Sequence, residues 1–185
     1  TSGTLTVLDV SNPFQPSEVA EIKVGHDPVG VAVRPGLVNG DELVFVVNHI
    51  SDSISVVSRK RLAVVQTIQQ LDAEGVTQTD EPVGIAFASP SRAFVTLDQP
   101  NQVIALDLDA NGRATIAPQR IQVAAQAPRA LTVEDGKLYV VPFESGNQTE
   151  FPTCWPGDPR EGIGVTENHA VRTDEGCEFR AELFE

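Results

Sequence analysis

No apolar stretch in this chain approaches the roughly 20 residues that a helix needs to cross a bilayer, so no membrane span is expected. The start, Thr1-Ser2-Gly3-Thr4, lacks the basic opening and apolar run of a signal peptide. If the parent protein is exported, that signal lies outside this chain. Basic residues are scarce: 13 Lys and Arg stand against 26 Asp and Glu, a formal charge of −13. Phosphate neutralisation needs clustered cations, so nucleic acid is excluded as a partner and anionic membranes are repelled. The one local basic run, Arg59-Lys60-Arg61, reads as a solvated hairpin turn. An acidic surface suits solubility, divalent cations or a basic partner. Catalytic signatures are missing as well. There is no Ser-His-Asp order, Gly-x-Ser-x-Gly elbow, phosphate loop or zinc-protease helix, and no helical periodicity of useful length.

Methionine is absent and cysteine occurs twice, as Cys154 and Cys177. Neither sits in a Cys-x-x-Cys or Cys-x-x-Cys-His pattern, which excludes thioredoxin-like chemistry and covalent haem attachment in this segment. The two flank a stretch rich in Gly, Pro, Asp and Glu with no hydrophobic periodicity. Burial cannot hold such a stretch, and a disulfide closing it would contribute about 3 kcal/mol. A disulfide implies an oxidising compartment, periplasmic or extracellular. Two unrelated free thiols are the other reading.

What the chain does have is 185 residues at 41% hydrophobic content, enough for one ordinary core, and an internal repeat. His26-Asp27-Pro28-Val29-Gly30-Val31-Ala32-Val33 recurs as Asp80-Glu81-Pro82-Val83-Gly84-Ile85-Ala86-Phe87. A more worn copy is Gln126-Ala127-Pro128-Arg129-Ala130-Leu131-Thr132-Val133. Each copy is followed by a turn and a short aromatic-bearing strand around Phe45, Phe94 or Tyr139. In the first two copies a polar turn leads into a third strand, Ser53–Val57 or Gln102–Leu106. A fourth strand closes each of those units, at Ala63–Ile68 and Arg120–Val123. A four-stranded antiparallel unit repeating at about 40–50 residues is a β-propeller blade in sequence form. One blade cannot bury both faces, so neighbours must stack. The fold class expected is all-β.

Pro28-Val29-Gly30-Val31-Ala32-Val33, then Val44-Phe45-Val46-Val47-Asn48, then Asp52-Ser53-Ile54-Ser55-Val56-Val57 resembles the YVTN-type propeller repeat, named for its Tyr-Val-Thr-Asn strand. Here the tetrapeptide is Phe45-Val46-Val47-Asn48. The resemblance implies a seven-bladed propeller in a bacterial or archaeal surface or periplasmic protein. It says little about activity, because that family spans binding scaffolds, lactonase-like proteins and modules attached to haem domains.

The expected organisation is a partial blade over 1–25, full blades over 26–79 and 80–125, the start of a blade over 126–143, and a disulfide-tied insertion over 144–185. That is about half of a ring. The remaining blades are expected from the rest of a longer chain or from a second copy. The function expected is a non-enzymatic binding or scaffold module for a protein or small-molecule ligand. The alternative is the propeller portion of a metal- or haem-dependent redox enzyme, or of a lactonase-like hydrolase, with its site at the channel mouth.

Two residue groups are candidates for that site. In a propeller, the loop entering the innermost strand and the loop leaving the second strand open on one face. The repeat places His26 and His49 in those loops of one blade, and Asp80 and Asp98 in those of the next. Imidazole and carboxylate at such a rim suit a transition metal or a cationic substrate, and turn residues bonded to backbone are the plainer reading. The second group, Asp107-Leu108-Asp109-Ala110-Asn111-Gly112, matches the start of a calcium loop, with Asp107, Asp109 and Asn111 as oxygen donors. Its twelfth position is Pro118 instead of a bidentate acid, so an EF-hand is excluded. A hairpin must also turn here, and Asn-Gly favours one. The insertion adds Trp155, His169 and the glycosylation-type pattern Asn147-Gln148-Thr149, read as a local mini-core and a polar turn.

Overall fold

The structure is a computed structural model, and it describes residues 3–123, 126–144, 170–173 and 176–179. The chain divides into two compact units, Thr1–Ser145 and Gly146–Glu185.

In the first unit, β1 (Thr4–Asp9) and β2 (Ser17–Lys23) form an antiparallel pair, the first blade. The second blade is a four-stranded sheet of β3 (Pro28–Val33), β4 (Leu43–Asn48), β5 (Ser53–Ser58) and β6 (Ala63–Ile68), paired in chain order. The third repeats that order with β7 (Pro82–Ser89), β8 (Arg92–Leu97), β9 (Gln102–Leu108) and β10 (Ala114–Gln122). The fourth is the pair β11 (Gln126–Glu134) and β12 (Lys137–Glu144). All these pairings are antiparallel, and no described residue is helical. These are propeller blades. No helix among the described residues is long and apolar enough to cross a membrane.

The repeat in sequence is a repeat in register. Phe45 lies opposite Ala32 and Val56, and Phe94 lies opposite Ala86 and Ala105. The main core sits between the second and third blades, where Phe45, Val47, Ile54 and Val56 meet Ile85, Val95, Ile104 and Leu106. Phe45 and Phe87 meet edge to face, with ring centroids 5.1 Å apart. A smaller cluster, Ile22, Val46 and Val57 with Leu5 and Val7, covers the other face of the second blade. Covered on both faces, every residue of β5 is buried, serines included. Asn48 accounts for two of those serines: its amide nitrogen donates to the hydroxyls of Ser53 (3.2 Å) and Ser55 (3.0 Å). Each large side chain so buried contributes about 1.5–3 kcal/mol.

The innermost strands approach closely because glycine lets them. A Cβ on Gly30 would stand 2.6 Å from the carbonyl oxygen of Val83 in the next blade. On Gly84 it would overlap the carbonyl oxygen of Arg129 and lie 2.7 Å from Leu131 Cδ2. Toward the outside, the Gln66 side chain bridges two blades by imitating backbone: its amide nitrogen donates to the Ala114 carbonyl (2.7 Å), and its oxygen accepts from the Ala114 N–H (3.0 Å).

One strand differs from expectation. β10 begins at Ala114, not Arg120, and its ladder shifts register between Ile116 and Arg120. Pro118 has no N–H to donate and falls in this irregularity, where a missing donor costs no ladder bond. In the second unit the described residues form the hairpin of β13 (Ala170–Thr173) and β14 (Gly176–Phe179). The disulfide expected between Cys154 and Cys177 rests on side chains outside the described residues, as do the readings of Trp155, His169 and Asn147-Gln148-Thr149.

Candidate functional site at the blade rim

The starts of the innermost strands β3, β7 and β11 share one backbone feature. The residue before the proline is left-handed in each copy: Asp27 (φ 55°), Glu81 (φ 45°) and Ala127 (φ 51°). Such a φ is costly for a residue with a Cβ, and hydrogen bonds on both sides sustain it. The Glu81 N–H donates to Asp52 Oδ1 in the β4–β5 turn of the preceding blade (2.9 Å), and the Glu81 carbonyl accepts from the Asp98 N–H of its own blade (3.0 Å). The neighbouring copies use parts of the same scheme. Asn101 Oδ1 accepts from the Ala127 N–H (2.8 Å), and the Asp27 carbonyl accepts from the His49 N–H (2.8 Å). Asp52 and Asn101 are themselves left-handed, at φ 48° and 53°. Asn and Asp tolerate that conformation best among residues with a side chain.

This scheme brings together His49 from the second blade and Glu81 and Asp98 from the third. One ligand atom from each lies within 4.8 Å of the others, and all three residues are half-buried. Among the described residues, this is the group of three or more acidic or imidazole side chains that converges so closely. The Nδ1 atom of His49 is buried and has no hydrogen-bond partner. Glu81 and Asp98 open onto a recess of about 230 Å3, which Gln99, Asn101, Gln126 and Ala127 complete.

Of the four rim residues expected from the repeat, His49 and Asp98 meet in this group. Asp80 lies beside it, half-buried. Burial pushes its carboxyl above the ordinary aspartate value, the Asp52 charge adds to that, and His49 opposes it. Asp80 also lines a larger open cavity of about 650 Å3, with Asp72, Gln78 and Arg120 among its walls. His26 is exposed and outside the group, and its N–H donates to Ser51 Oγ (3.0 Å). Glu81 is the member that the repeat does not mark, because the titratable residues it brings into alignment are His26 and Asp80. The usable signal was the proline. The residue immediately before it is the one whose backbone both turns clamp.

Asp107 lies within β9, and its carboxylate pairs with Arg92 across the strand pair. Asp109 Oδ1 accepts from the N–H groups of Asn111 (2.9 Å) and Arg113 (2.8 Å), which closes the β9–β10 turn. Asn111 is exposed in that turn. The two carboxylates serve donors of the chain itself.

No family model and no curated relative matches the chain. Among solved structures it is similar to hydrazine synthase of Kuenenia stuttgartiensis, at 24% identity and a TM-score of 0.58, over 78% of this chain and 37% of that one. It is similar to a protein from Lactobacillus plantarum at 17% identity and a TM-score of 0.62, over 80% and 43%. A putative 6-phosphogluconolactonase from Bacteroides uniformis ATCC 8492 gives 15% identity and a TM-score of 0.54, over 75% and 48%. The chain thus spans less than half the length of each of these structures. At these identities the likeness establishes the fold, and that fold is a β-propeller.

Proposed function

We propose that the chain is the propeller part of a secreted, periplasmic or cell-surface protein, and that it works as a binding module whose ligand sits at the blade rim. The observation that carries this is the recess at Glu81, Asp98, Gln99 and Gln126, built from successive blades and clamped where the Glu81 and Ala127 N–H groups donate to the Asp52 and Asn101 side chains. Loops on a rigid scaffold are where such folds place recognition. Membership in the YVTN-type family, suggested by the repeat, accords with an exported scaffold of this kind. So does an acidic surface of charge −13, which favours cationic or neutral ligands.

The test uses the intact protein as the cell makes it. Its melting temperature is followed against metal ions, small organic cations, sugars and lactones. A ligand that raises it in the native protein, and fails to do so after Gln126→Ala with Gln99→Ala, supports the reading. Turnover of a lactone that depends on the same rim residues would overturn it, and would bring forward an activity of the kind named for the Bacteroides uniformis protein.

A further inference from the structure

We propose that His49, Glu81 and Asp98 form a three-donor site for a divalent first-row transition cation of the zinc or manganese type. The proposal rests on the rim being the ligand-binding face and names the class of ligand.

The donors come from separate loops in two blades, so the sequence separations of 32 and 17 residues that divide them (49 to 81, 81 to 98) carry no motif. The fold supplies the convergence. Their ligand atoms lie within 4.8 Å of one another. Tetrahedral bonds of about 2.1 Å set neighbouring donors roughly 3.4 Å apart, so a cation would draw the three side chains inward by at most about an ångström. Glu81 and Asp98 can make that movement. Both side chains border the open recess, while their backbones are held by the hydrogen bond between them.

Charge and donor type then select the metal. Two carboxylates neutralise a divalent ion, and neither is paired with a Lys or Arg in the ion pairs of the described residues. One imidazole among oxygen donors disfavours Ca2+ and Mg2+, which take oxygen ligands, and the lack of sulfur disfavours Cu(I). The His49 Nδ1 atom is buried without a donor or acceptor, an arrangement that costs free energy unless something meets it. Three protein donors leave a fourth tetrahedral position, open to water or to a ligand anion. The rim next to Ala127 carries no such set, because the fourth blade offers Ala127 and Phe143 at the positions of Glu81 and Asp98.

The experiment titrates Zn2+ into the intact, chelator-treated protein by calorimetry, with Ca2+ as the contrast. The expected result is one rim equivalent of Zn2+, bound at least about tenfold more weakly after Glu81→Gln, Asp98→Asn or His49→Gln, and unchanged after Asp107→Asn or His26→Gln. X-ray absorption of the zinc complex is expected to show a nitrogen and oxygen shell with one imidazole. Absence of Zn2+ binding, equal binding by all three rim variants, equal affinity for Ca2+, or sulfur in the metal shell overturns the proposal. If His49→Gln fails to fold, the two rim acids carry the test alone. A ligand that depends on Gln99 and Gln126, found in a protein that binds no Zn2+ at the rim, would overturn the cation site and leave the binding module standing. Loss of both overturns both.

Discussion

At the scale of the residue, two side chains show how little freedom the blades allow. Gly84 is required by proximity, not by φ. Any Cβ there enters the space of the Arg129 carbonyl and of Thr96 Oγ1, which lies 2.9 Å from its ideal position. Gly84→Ala is therefore expected to destabilise the unit by about 1–3 kcal/mol, the usual cost of overpacking, as measured by urea unfolding. Asp41 shows the electrostatic counterpart. The Ser58 hydroxyl donates to its carboxylate and holds it below the ordinary aspartate range, against partial burial and with help from the Lys60 N–H and charge. A depressed carboxyl stabilises the native state above its unfolded value, about 3.9, and that contribution is lost as pH falls through the lowered folded value. Asp41→Asn is expected to lower stability at neutral pH. The gap to the native protein should close in acid titrations of thermal unfolding as pH drops below that window.

At the scale of the element, the turns do more than reverse the chain. The β4–β5 turn reaches the next blade through Asp52, whose side chain takes the Glu81 N–H and whose carbonyl accepts from the buried Thr79 hydroxyl. Asp52→Ala removes the acceptor of an otherwise unpaired N–H, at about 1–3 kcal/mol. Because Asn keeps both the acceptor and the left-handed φ, Asp52→Asn is expected to recover most of that loss in the same unfolding assay. The β9–β10 turn works locally, through Asp109. Since Asp109 already receives two backbone donors and Asp107 receives Arg92, Ca2+ at millimolar concentration is expected to leave the melting temperature of an Asp109→Asn variant and of the native protein equally unmoved.

At the scale of the whole molecule, the second and third blades are each packed between neighbours, and hydrogen exchange is expected to be slowest in their middle strands. Amides of Phe45–Val47 and Ile54–Val57, all with nearly fully buried side chains, should outlast those of β1–β2 and β11–β12. The four-stranded blade was legible because its side chains alternate at period two and its turn chemistry repeats. Aligning the copies put the Phe45 and Phe94 strands at matching positions with the strands that follow them, and the sheets pair them alike, Phe45 opposite Val56 and Phe94 opposite Ala105. The start of β10 was not legible, because the sequence around Pro118 reads as a break while the sheet absorbs it as an irregularity. The rim group was half legible. His49 and Asp98 could be matched by repeat position, but Glu81 depended on a backbone conformation and on a hydrogen bond from another blade. No local pattern encodes that.

The clamped residue before each proline has one more consequence. Turns take up its backbone, through both N–H and carbonyl at Glu81, the carbonyl at Asp27 and the N–H at Ala127, so the three positions share one left-handed geometry with three different side chains. The scaffold thus separates what keeps the chain folded from what the chain recognises. One codon per blade can rewrite the rim while the architecture beneath it stays the same, much as type is reset in a fixed frame.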